Sequence, residues 1–190
     1  MKSVEGVLLT GGRSSRMGAL KASIEINGVR LGHKIANALA ACCQRVVVLG
    51  REPISGFDFL PDAEPFAGPL AALARFDSTK EWVFVAACDL TRFEPAVCAA
   101  LIASADKAAV IPMVNAQLQP LCAVYPASAL AAMKQLAAEG RRSMMSVLDV
   151  IPYEVRDENE LRAAGIEPIQ VLGANTRKEL ESFSNQLPNG

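Results

Sequence analysis

The sequence is poor in the residues that build metal clusters and disulfide frameworks. It holds a single histidine, His33, and its five cysteines include no C-x-x-C pair. Neither a proton relay through histidines nor a zinc site is therefore expected, and His33, in a helix-like stretch, should be a packing or surface residue. An odd number of cysteines with one adjacent pair does not match a disulfide framework either. The cysteines are Cys42, Cys43, Cys88, Cys98 and Cys122.

Long apolar runs and an excess of positive charge are missing as well. No apolar run approaches the length of a membrane-spanning helix, and residues 1–10 lack the length and the cleavage signature of a secretory signal. Lysine and arginine number 19 against 20 acidic residues, so the net charge is −1, which provides no general surface for nucleic acid or anionic membrane. We therefore expect a soluble cytoplasmic protein with no nucleic-acid or membrane partner, in which any phosphate-binding charge is local.

The sequence does contain a regular alternation of short apolar strands with helices rich in alanine and leucine. Its 190 residues, 51% hydrophobic and 21% charged, fit a single domain, 1–190, without a linker or a repeat. Strands are predicted at 4–9, 45–49, 82–86 and 108–113, and helices at 32–43, 69–75, 95–103 and 128–138. Apolar strands without polar alternation are typical of a sheet covered on both faces. The pattern predicts a three-layer α/β/α fold around a mostly parallel, Rossmann-like sheet.

Several residues indicate where these elements begin and end. Pro95 fits the first turn of a helix, where no backbone N–H is needed, and Ser128 and Gly140 are candidate caps of the fourth helix. Pro112 should make the end of its strand irregular. The charged stretch 153–165 is predicted to form a surface loop and a helix.

A glycine-rich segment follows the first strand and reads LLTGGRSSRMGALK. Ligands of open α/β sheets bind beyond the carboxyl ends of the strands, and the pair Gly11 and Gly12 lets backbone N–H groups approach a ligand. Three cations that follow would neutralise a polyphosphate: Arg13, Arg16 and Lys21. The segment matches neither the P-loop nor the dinucleotide-binding fingerprint. Glycines and scattered arginines alone would favour an ordinary basic surface turn.

The spacing within this segment resembles a known signature. G-G-x-x-x-R-M-G-x-x-K after a buried strand is similar to the motif of the nucleotidyltransferase superfamily that includes sugar-phosphate nucleotidyltransferases and the molybdenum cofactor enzymes. The matching positions are Gly11, Gly12, Arg16, Met17, Gly18 and Lys21. The resemblance implies a sheet of the nucleotide-diphospho-sugar transferase type and a reaction that transfers a nucleotidyl group from a nucleoside triphosphate.

Five further blocks resemble the molybdenum cofactor guanylyltransferases and occur in the order of that family. They are Asp62 with 68–71 (GPLA), 88–90 (CDL), 119–125 (QPLCAVY), 140–144 (GRRSM) and 175–180 (NTRKEL). The resemblance therefore extends over nearly the whole chain, from residue 4 to residue 183.

The sequence departs from that family at four positions. Thr10 stands where alanine is usual before the glycine pair, beside the expected base, and Leu20 replaces an aspartate. Thr91 replaces the proline that follows the cysteine–aspartate pair, and Leu49 replaces an asparagine that commonly follows the second strand. Because the aspartate and the asparagine belong to the nucleotide-contacting region, these changes weaken the basis for guanine selectivity and leave the parts for phosphoryl transfer intact.

The resemblance also assigns roles to the matching residues. Arg16 and Lys21 would stabilise the charge that builds up as pyrophosphate leaves. Asp89, after a strand, would bind Mg²⁺, which takes one or two carboxylates together with phosphate oxygens. These three residues are the candidate catalytic groups. The candidate nucleotide-binding positions are Leu9, Thr10, Gly11, Gly12, Lys21, Asp62 and Asp89.

Other interpretations of several residues stay open at the level of sequence. Asp89 would equally serve as the N-cap of the third predicted helix. Asp62, which the resemblance places on the N–H groups of guanine, would otherwise be a turn residue. Asn175 fits either the metal or acceptor site or a helix N-cap, and Arg141 and Arg142 fit either the phosphate of the acceptor or an ordinary surface.

The function that the resemblance implies is that of a Mg²⁺-dependent molybdenum cofactor guanylyltransferase. The terminal phosphate of molybdopterin would attack the α-phosphate of GTP, giving the guanine dinucleotide cofactor and pyrophosphate. Transient contacts with other cofactor-biosynthesis or acceptor proteins would accompany this role. A cytidylyltransferase of the same cofactor stays open because Leu20 is not an aspartate, although 68–71 favours the guanylyl branch. A non-catalytic nucleotide-binding module is a further alternative, against which the presence of Lys21 and Asp89 counts.

Replacing Lys21 with alanine should weaken the binding of a nucleoside triphosphate, whereas replacing His33 with alanine should not. A charge-assisted contact contributes about 1.5–3 kcal/mol, so the Kd should rise about tenfold to a hundredfold. Titration calorimetry with GTP and Mg²⁺ measures both variants. Equal Kd values for the two would show that the glycine-rich segment does not bind the phosphates.

Overall fold

A computed structural model describes residues 2–11, 25–26, 28–64 and 67–174. Its strands are β1 (Val4–Leu9), β2 (Glu25–Ile26), β3 (Val29–Arg30), β4 (Arg45–Gly50), β5 (Asp58–Pro61), β6 (Trp82–Ala87), β7 (Ala109–Val114), β8 (Gln117–Leu118), β9 (Cys122–Pro126) and β10 (Tyr153–Arg156). Its helices are α1 (Leu31–Ala40), α2 (Pro69–Leu73), α3 (Pro95–Ser104), α4 (Ala129–Ala138), α5 (Met145–Leu148) and α6 (Glu158–Ala163), with a 3₁₀ helix at Pro168–Val171. In this part of the chain no helix is both long and apolar enough to cross a bilayer.

The main sheet runs in the order β10-β7-β9-β6-β1-β4-β5, with β8 attached to β7. β1 pairs in parallel with β4 and β6, β4 with β5, and β7 with β10. β9 is antiparallel to both of its neighbours, β6 and β7. β2 and β3 pair with each other outside this sheet. The sheet is therefore mostly parallel, as the alternation of strands and helices predicts.

Helices cover both faces of the sheet because successive strand residues point to opposite sides. Along β1, Leu8 belongs to a buried core that includes residues of α1, α3 and α6, whereas Val7 belongs to a second core with residues of α2, α4 and α5. β6 shows the same alternation, with Phe84 in the first core and Val85 in the second. Burial on both faces explains the apolar strands, and the predicted three-layer α/β/α architecture is confirmed.

The predicted helix ends are confirmed at Pro95 and Gly140 but only in part at Ser128. Pro95 is the first residue of α3. Gly140 adopts the left-handed conformation with φ 80° and donates its N–H to the Ala137 carbonyl at 2.9 Å, which ends α4. Ser128 precedes α4, but its side chain forms no capping hydrogen bond. Its own backbone is already helical, with φ −59° and ψ −24°, whereas a capping side chain needs an extended backbone.

Several strands differ from the sequence prediction, and β5 and β9 are not among the four strands that it gives. β7 continues through Pro112 to Val114, because the Pro112 carbonyl still accepts a hydrogen bond from the Gln119 N–H at 2.8 Å. Residues 153–156 form β10 instead of a loop, and the predicted helix follows as α6. β5 and β10 lie at the two edges of the sheet. Edge strands carry charged residues and prolines, so they do not show the apolar runs by which the inner strands are recognised.

A buried carboxylate, Glu5, ties the start of β1 to two neighbouring segments. Its side chain is fully buried and accepts hydrogen bonds from Ser78 Oγ at 2.6 Å, from the Thr79 N–H at 2.9 Å and from Arg45 Nη1 at 2.9 Å. Burial acts to raise the pKa of Glu5, but the hydrogen bonds together with the charge of Arg45 outweigh it, so the pKa of Glu5 is lowered. The fold is therefore built around the ionised form.

Replacing Glu5 with glutamine should lower the free energy of unfolding at pH 7 by about 1–3 kcal/mol, because it leaves buried donors poorly matched. Since the pKa of Glu5 is lower in the folded than in the unfolded protein, its contribution is complete above the ordinary value of 4.5 and is lost as the pH falls through the folded value. Urea unfolding of both proteins between pH 7 and pH 3 measures the difference. A difference that stays constant over this range would contradict the role of the ionised carboxylate.

Candidate functional site

The carboxyl ends of β1, β5 and β6 open onto one cleft with a volume of about 430 Å³. The chain passes from β1 to β4 and β5 on one side and then returns to the other side of β1 as β6. Ligands of parallel sheets bind where the strand order reverses in this way, and the volume lies within the range of small-molecule sites. The lining includes Leu9, Thr10, Gly11, Asp62, Glu64, Gly68, Arg75, Cys88 and Asp89.

Thr10 and Gly11, which follow β1, form one wall of the cleft. The Thr10 N–H donates to the Leu49 carbonyl at 2.8 Å, and the Thr10 hydroxyl donates to the same oxygen at 3.3 Å. A β-carbon on Gly50 would lie 2.6 Å from the Gly11 nitrogen, so glycine at position 50 allows the end of β4 to pack against this wall. The hydroxyl that distinguishes Thr10 from the usual alanine is thus used within the fold.

Asp62 lies directly after β5, with its carboxylate against Gly11. Its N–H donates to the Gly50 carbonyl at 2.8 Å, and a β-carbon on Gly11 would lie 2.8 Å from Asp62 Oδ2. Burial raises the pKa of Asp62, and the positive charges of Arg51 and Arg75 oppose this rise only in part. Asp62 is therefore a half-buried acceptor whose ionised form is supported by two arginines.

Asp89 lies after β6 and is held by main-chain hydrogen bonds on both sides. The residue before it donates its N–H to the Leu9 carbonyl at 3.0 Å, and Ala174 donates to the Asp89 carbonyl at 2.9 Å. A β-carbon on Gly173 would lie 2.6 Å from Asp89 Oδ1, so the carboxylate occupies space that a glycine leaves open. The N-cap of α3 is Glu94, which removes capping of that helix as the explanation for Asp89.

A lysine of α1 holds the loop that follows Asp89. Lys34 Nζ donates to the Thr91 carbonyl at 2.9 Å. Thr91 is buried at the position where the resembled family has proline, and its hydroxyl has no hydrogen-bond partner within the described chain. The lysine contact therefore fixes a loop that lacks the restriction a proline would impose.

The N-terminus of α2 and the turn after α4 meet beside the cleft. Gly68, with φ 97°, precedes α2, and a β-carbon on it would lie 3.0 Å from the Arg142 carbonyl. The Leu70 N–H donates to the same carbonyl at 3.5 Å. Two blocks that are far apart in sequence are thus neighbours in space. Arg142 contacts Gly68 of the cleft lining, and both Arg141 and Arg142 are exposed.

The structure brings five of the sequence-predicted site residues together: Leu9, Thr10, Gly11, Asp62 and Asp89. The others lie outside the described residues, so their roles stay predictions: Gly12, Arg16, Lys21 and Asn175. His33 is half-buried in α1 and is not among the described residues that line the cleft.

The structure corrects the interpretation of Leu49 and adds two residues. Leu49 does not follow the second strand but is the next-to-last residue of β4, buried in the second core, and Arg51 is the residue that follows the strand. Sequence reasoning missed Arg75, which lines the cleft just after α2, and Gly173, which contacts Asp89. Their only sequence signal is that each lies close to a block resembling the family.

Acidic side chains outnumber basic ones in the described part of the lining. Asp62, Glu64 and Asp89 are acidic, and Arg75 alone is basic. The described residues contain no group of three or more His, Cys, Asp or Glu side chains placed to bind a metal. Mg²⁺ needs only one or two carboxylates, because waters and phosphate oxygens complete its shell. Asp89, at the open end of β6, fits that requirement.

Comparisons with known proteins give a consistent result. The model of the family described as MobA-like NTP transferase domain matches residues 6–156. A molybdenum cofactor guanylyltransferase of Desulfosudis oleivorans is 26% identical over 100% of this chain and 98% of that protein, and a probable molybdenum cofactor guanylyltransferase of Bacillus subtilis is 33% identical over 98% of each. The crystal structure of molybdopterin-guanine dinucleotide biosynthesis protein A from Archaeoglobus fulgidus, 21% identical, covers 95% of this chain and 97% of that one with a TM-score of 0.76. This last likeness confirms the predicted type of sheet.

Replacing Gly173 with alanine should lower the free energy of unfolding by about 1–3 kcal/mol, because the new methyl group overlaps the Asp89 carboxylate. In a chain that already carries Asp89→Ala, the same substitution should cost less, since the overlapping oxygen is gone. Urea unfolding of the four proteins gives the interaction energy directly. Equal costs in both backgrounds would contradict the contact between Gly173 and Asp89.

Proposed function

This chain belongs to the MobA-like NTP transferase family, and on that premise we propose that it is a molybdenum cofactor guanylyltransferase. It transfers GMP from GTP to the terminal phosphate of molybdopterin and releases pyrophosphate. Relatives that carry this name and match nearly the whole chain support the proposal. The structural neighbour named molybdopterin-guanine dinucleotide biosynthesis protein A agrees with it.

The main support for the proposal in this chain is that three strand ends line one cleft. The Thr10–Gly11 segment, Asp62 and Asp89 come from the ends of three different strands and line a single cleft where the strand order reverses. A nucleoside triphosphate needs a group that recognises its base, backbone N–H groups for its phosphates and a carboxylate for its metal. The cleft offers one candidate for each.

The reaction exchanges one phosphoryl bond for another. An oxygen of the molybdopterin phosphate attacks the α-phosphorus of GTP, and the bond from that phosphorus to the oxygen bridging the β-phosphorus breaks. Pyrophosphate leaves with the electron pair. No covalent enzyme intermediate is needed, so the protein contributes alignment and charge neutralisation.

The wall after β1 supplies the phosphate contacts in this proposal. Gly11 and Gly12 would direct backbone N–H groups at the phosphates, and the absence of a side chain on Gly11 leaves room for the Asp62 carboxylate beside it. Arg16 and Lys21 stabilise the negative charge that develops as pyrophosphate leaves. The position of Gly11 in the cleft lining supports this arrangement.

Asp89 would hold the Mg²⁺ of the reaction. Its carboxylate is a hard oxygen ligand, its main chain is held from both sides, and no side chain on Gly173 competes for the space beside it. When bound, Mg²⁺ neutralises phosphate charge and orients the phosphate oxygens. A single carboxylate in an open cleft suits a metal that the nucleotide brings with it.

Asp62 would select the base. Guanine presents its N1–H and 2-amino groups as donors, and a carboxylate accepts from both, whereas cytosine offers no such paired edge. Asp62 is half-buried in the cleft and directly follows β5, a strand at one edge of the sheet. The alternative of a cytidylyltransferase rests on Leu20, and no described residue of the cleft lining supports it.

The acceptor, the protein partners and the location of the enzyme follow from the same proposal. Arg141 and Arg142 are exposed, Arg142 contacts Gly68 of the cleft lining, and both are candidates for binding the phosphate of the acceptor. Transient contacts with other cofactor-biosynthesis or acceptor proteins would deliver molybdopterin and receive the product. We propose a cytoplasmic location, with which the five free thiols are consistent.

Pyrophosphate release in the presence of molybdopterin and Mg²⁺, with GTP, ATP or CTP in turn, tests the function. GTP should give the highest kcat/KM, because a base that leaves the polar groups of the site unpaired is transferred less efficiently. Asp62→Ala should remove most of the preference for GTP over ATP and CTP, since it removes the acceptor for the N–H groups of guanine. Asp89→Asn should stay folded and lose most of the turnover with every nucleotide, since an amide binds Mg²⁺ poorly.

Three results would contradict the assignments of the base, the metal ligand and the activity. A wild-type preference for CTP would replace the guanylyl assignment with the cytidylyl one. Turnover of Asp89→Asn near the wild-type rate would remove Asp89 from the mechanism. Nucleotide binding without any pyrophosphate release would leave a non-catalytic nucleotide-binding module.

A further inference from the structure

Arg75 is the one basic side chain among the described residues that line the cleft. It lies in the turn after α2, where its N–H donates to the Ala72 carbonyl at 3.2 Å. Its guanidinium Nη1 donates to the carbonyl of Pro61, the last residue of β5. Arg75 is thus anchored to the residue that immediately precedes Asp62.

Arg75 and Asp62 also interact through their charges. The positive charges of Arg51 and Arg75 act to lower the pKa of Asp62, against the effect of burial. Arg51 is exposed and does not line the cleft in the described chain. Among the described residues, Arg75 is therefore the cation that both lines the cleft and lies near Asp62.

The proposed substrate carries an acceptor that Asp62 is unable to satisfy. Guanine places O6 next to N1–H on the edge that a carboxylate would contact, and a carboxylate only accepts hydrogen bonds. Leu49, near the end of β4, is buried in the core and offers no side-chain donor to this edge. An acceptor that loses water on binding without finding a donor costs binding free energy.

A guanidinium has five N–H groups in a planar fork, and the Pro61 carbonyl uses Nη1. In the major groove of DNA, arginine commonly donates to O6 of guanine. The Arg75 side chain is exposed, and its contact with the Pro61 carbonyl reduces the conformational freedom that it would lose on binding a base.

We propose that Arg75 is a specificity-determining residue that donates to O6 of guanine while Asp62 accepts from N1–H and the 2-amino group. The inference rests on the proposed function, because it takes a guanine nucleotide as the ligand. The pair recognises both the donor and the acceptor groups of the base. Adenine, which has an amino group in place of O6, would meet the guanidinium with a donor.

Two GTP analogues separate the contributions of the pair. In 6-thio-GTP a sulfur, a weaker acceptor, replaces O6, and in ITP the 2-amino group is missing. The Kd of each nucleotide, measured by titration calorimetry with Mg²⁺, gives a penalty for each analogue relative to GTP.

Arg75→Met keeps the length of the side chain without its donors, and Arg75→Lys keeps one charged donor group. Arg162→Met removes an arginine that pairs with Glu158 on α6 and serves as the control.

The wild-type protein and the control should both bind 6-thio-GTP about tenfold more weakly than GTP. In Arg75→Met this penalty should largely disappear, whereas the penalty for ITP should persist because Asp62 still reads the 2-amino group. Arg75→Lys should retain part of the penalty for 6-thio-GTP. Thermal unfolding checks that the variants are folded.

Two outcomes would overturn the assignment. If Arg75→Met keeps the full 6-thio-GTP penalty, Arg75 does not read O6. If both penalties fall together, Arg75 acts only by positioning Asp62 through the Pro61 carbonyl. Failure of the proposed function is a separate result, since it would appear as absent pyrophosphate release in the wild-type protein whatever these binding ratios are.

Discussion

β1 is hydrogen-bonded along its length to β4 on one side and to β6 on the other, and this double pairing sets the geometry of the cleft. The ladder continues past the last strand residues, since Thr10 donates to the Leu49 carbonyl and Cys88 donates to the Leu9 carbonyl. The two segments that carry Gly11 and Asp89 are therefore fixed by the sheet itself. A site built on strand ends holds its groups more rigidly than one built on long loops.

Two of the carboxylates that line the cleft, Asp62 and Asp89, share a second feature, which is that each lies against a glycine. Asp62 occupies the space that Gly11 leaves, and Asp89 occupies the space that Gly173 leaves. The partners of each pair are distant in sequence, so the missing side chains matter only once the sheet has formed. The cleft thus depends on small residues in one segment as much as on charged residues in another.

Burial on both faces gives apolar runs that local patterns reveal, so the sequence predicts the inner strands β1, β4, β6 and β7 and most of the helices, but not the inner strand β9. It predicts Asp62 and Asp89 because both belong to blocks that resemble a family. The interpretation that Leu49 stands for an asparagine after the second strand was wrong. Residues two apart in a strand share a face, so Leu49 lies with Val47 in one buried core. Arg75 and Gly173 could not be found in this way, since their roles arise from contacts between segments that only the fold brings together.

The antiparallel strand β9 has a consequence for the order of folding. In the described chain, β7 and β10 reach the rest of the sheet only through β9, which lies between β7 and β6. The strands β1, β4, β5 and β6 pair with one another within residues 4–87 and need no contribution from β9. β7 and β10 join them only once Cys122–Pro126 has docked on β6. The strands that end in the cleft therefore belong to the half of the sheet that does not depend on this docking step.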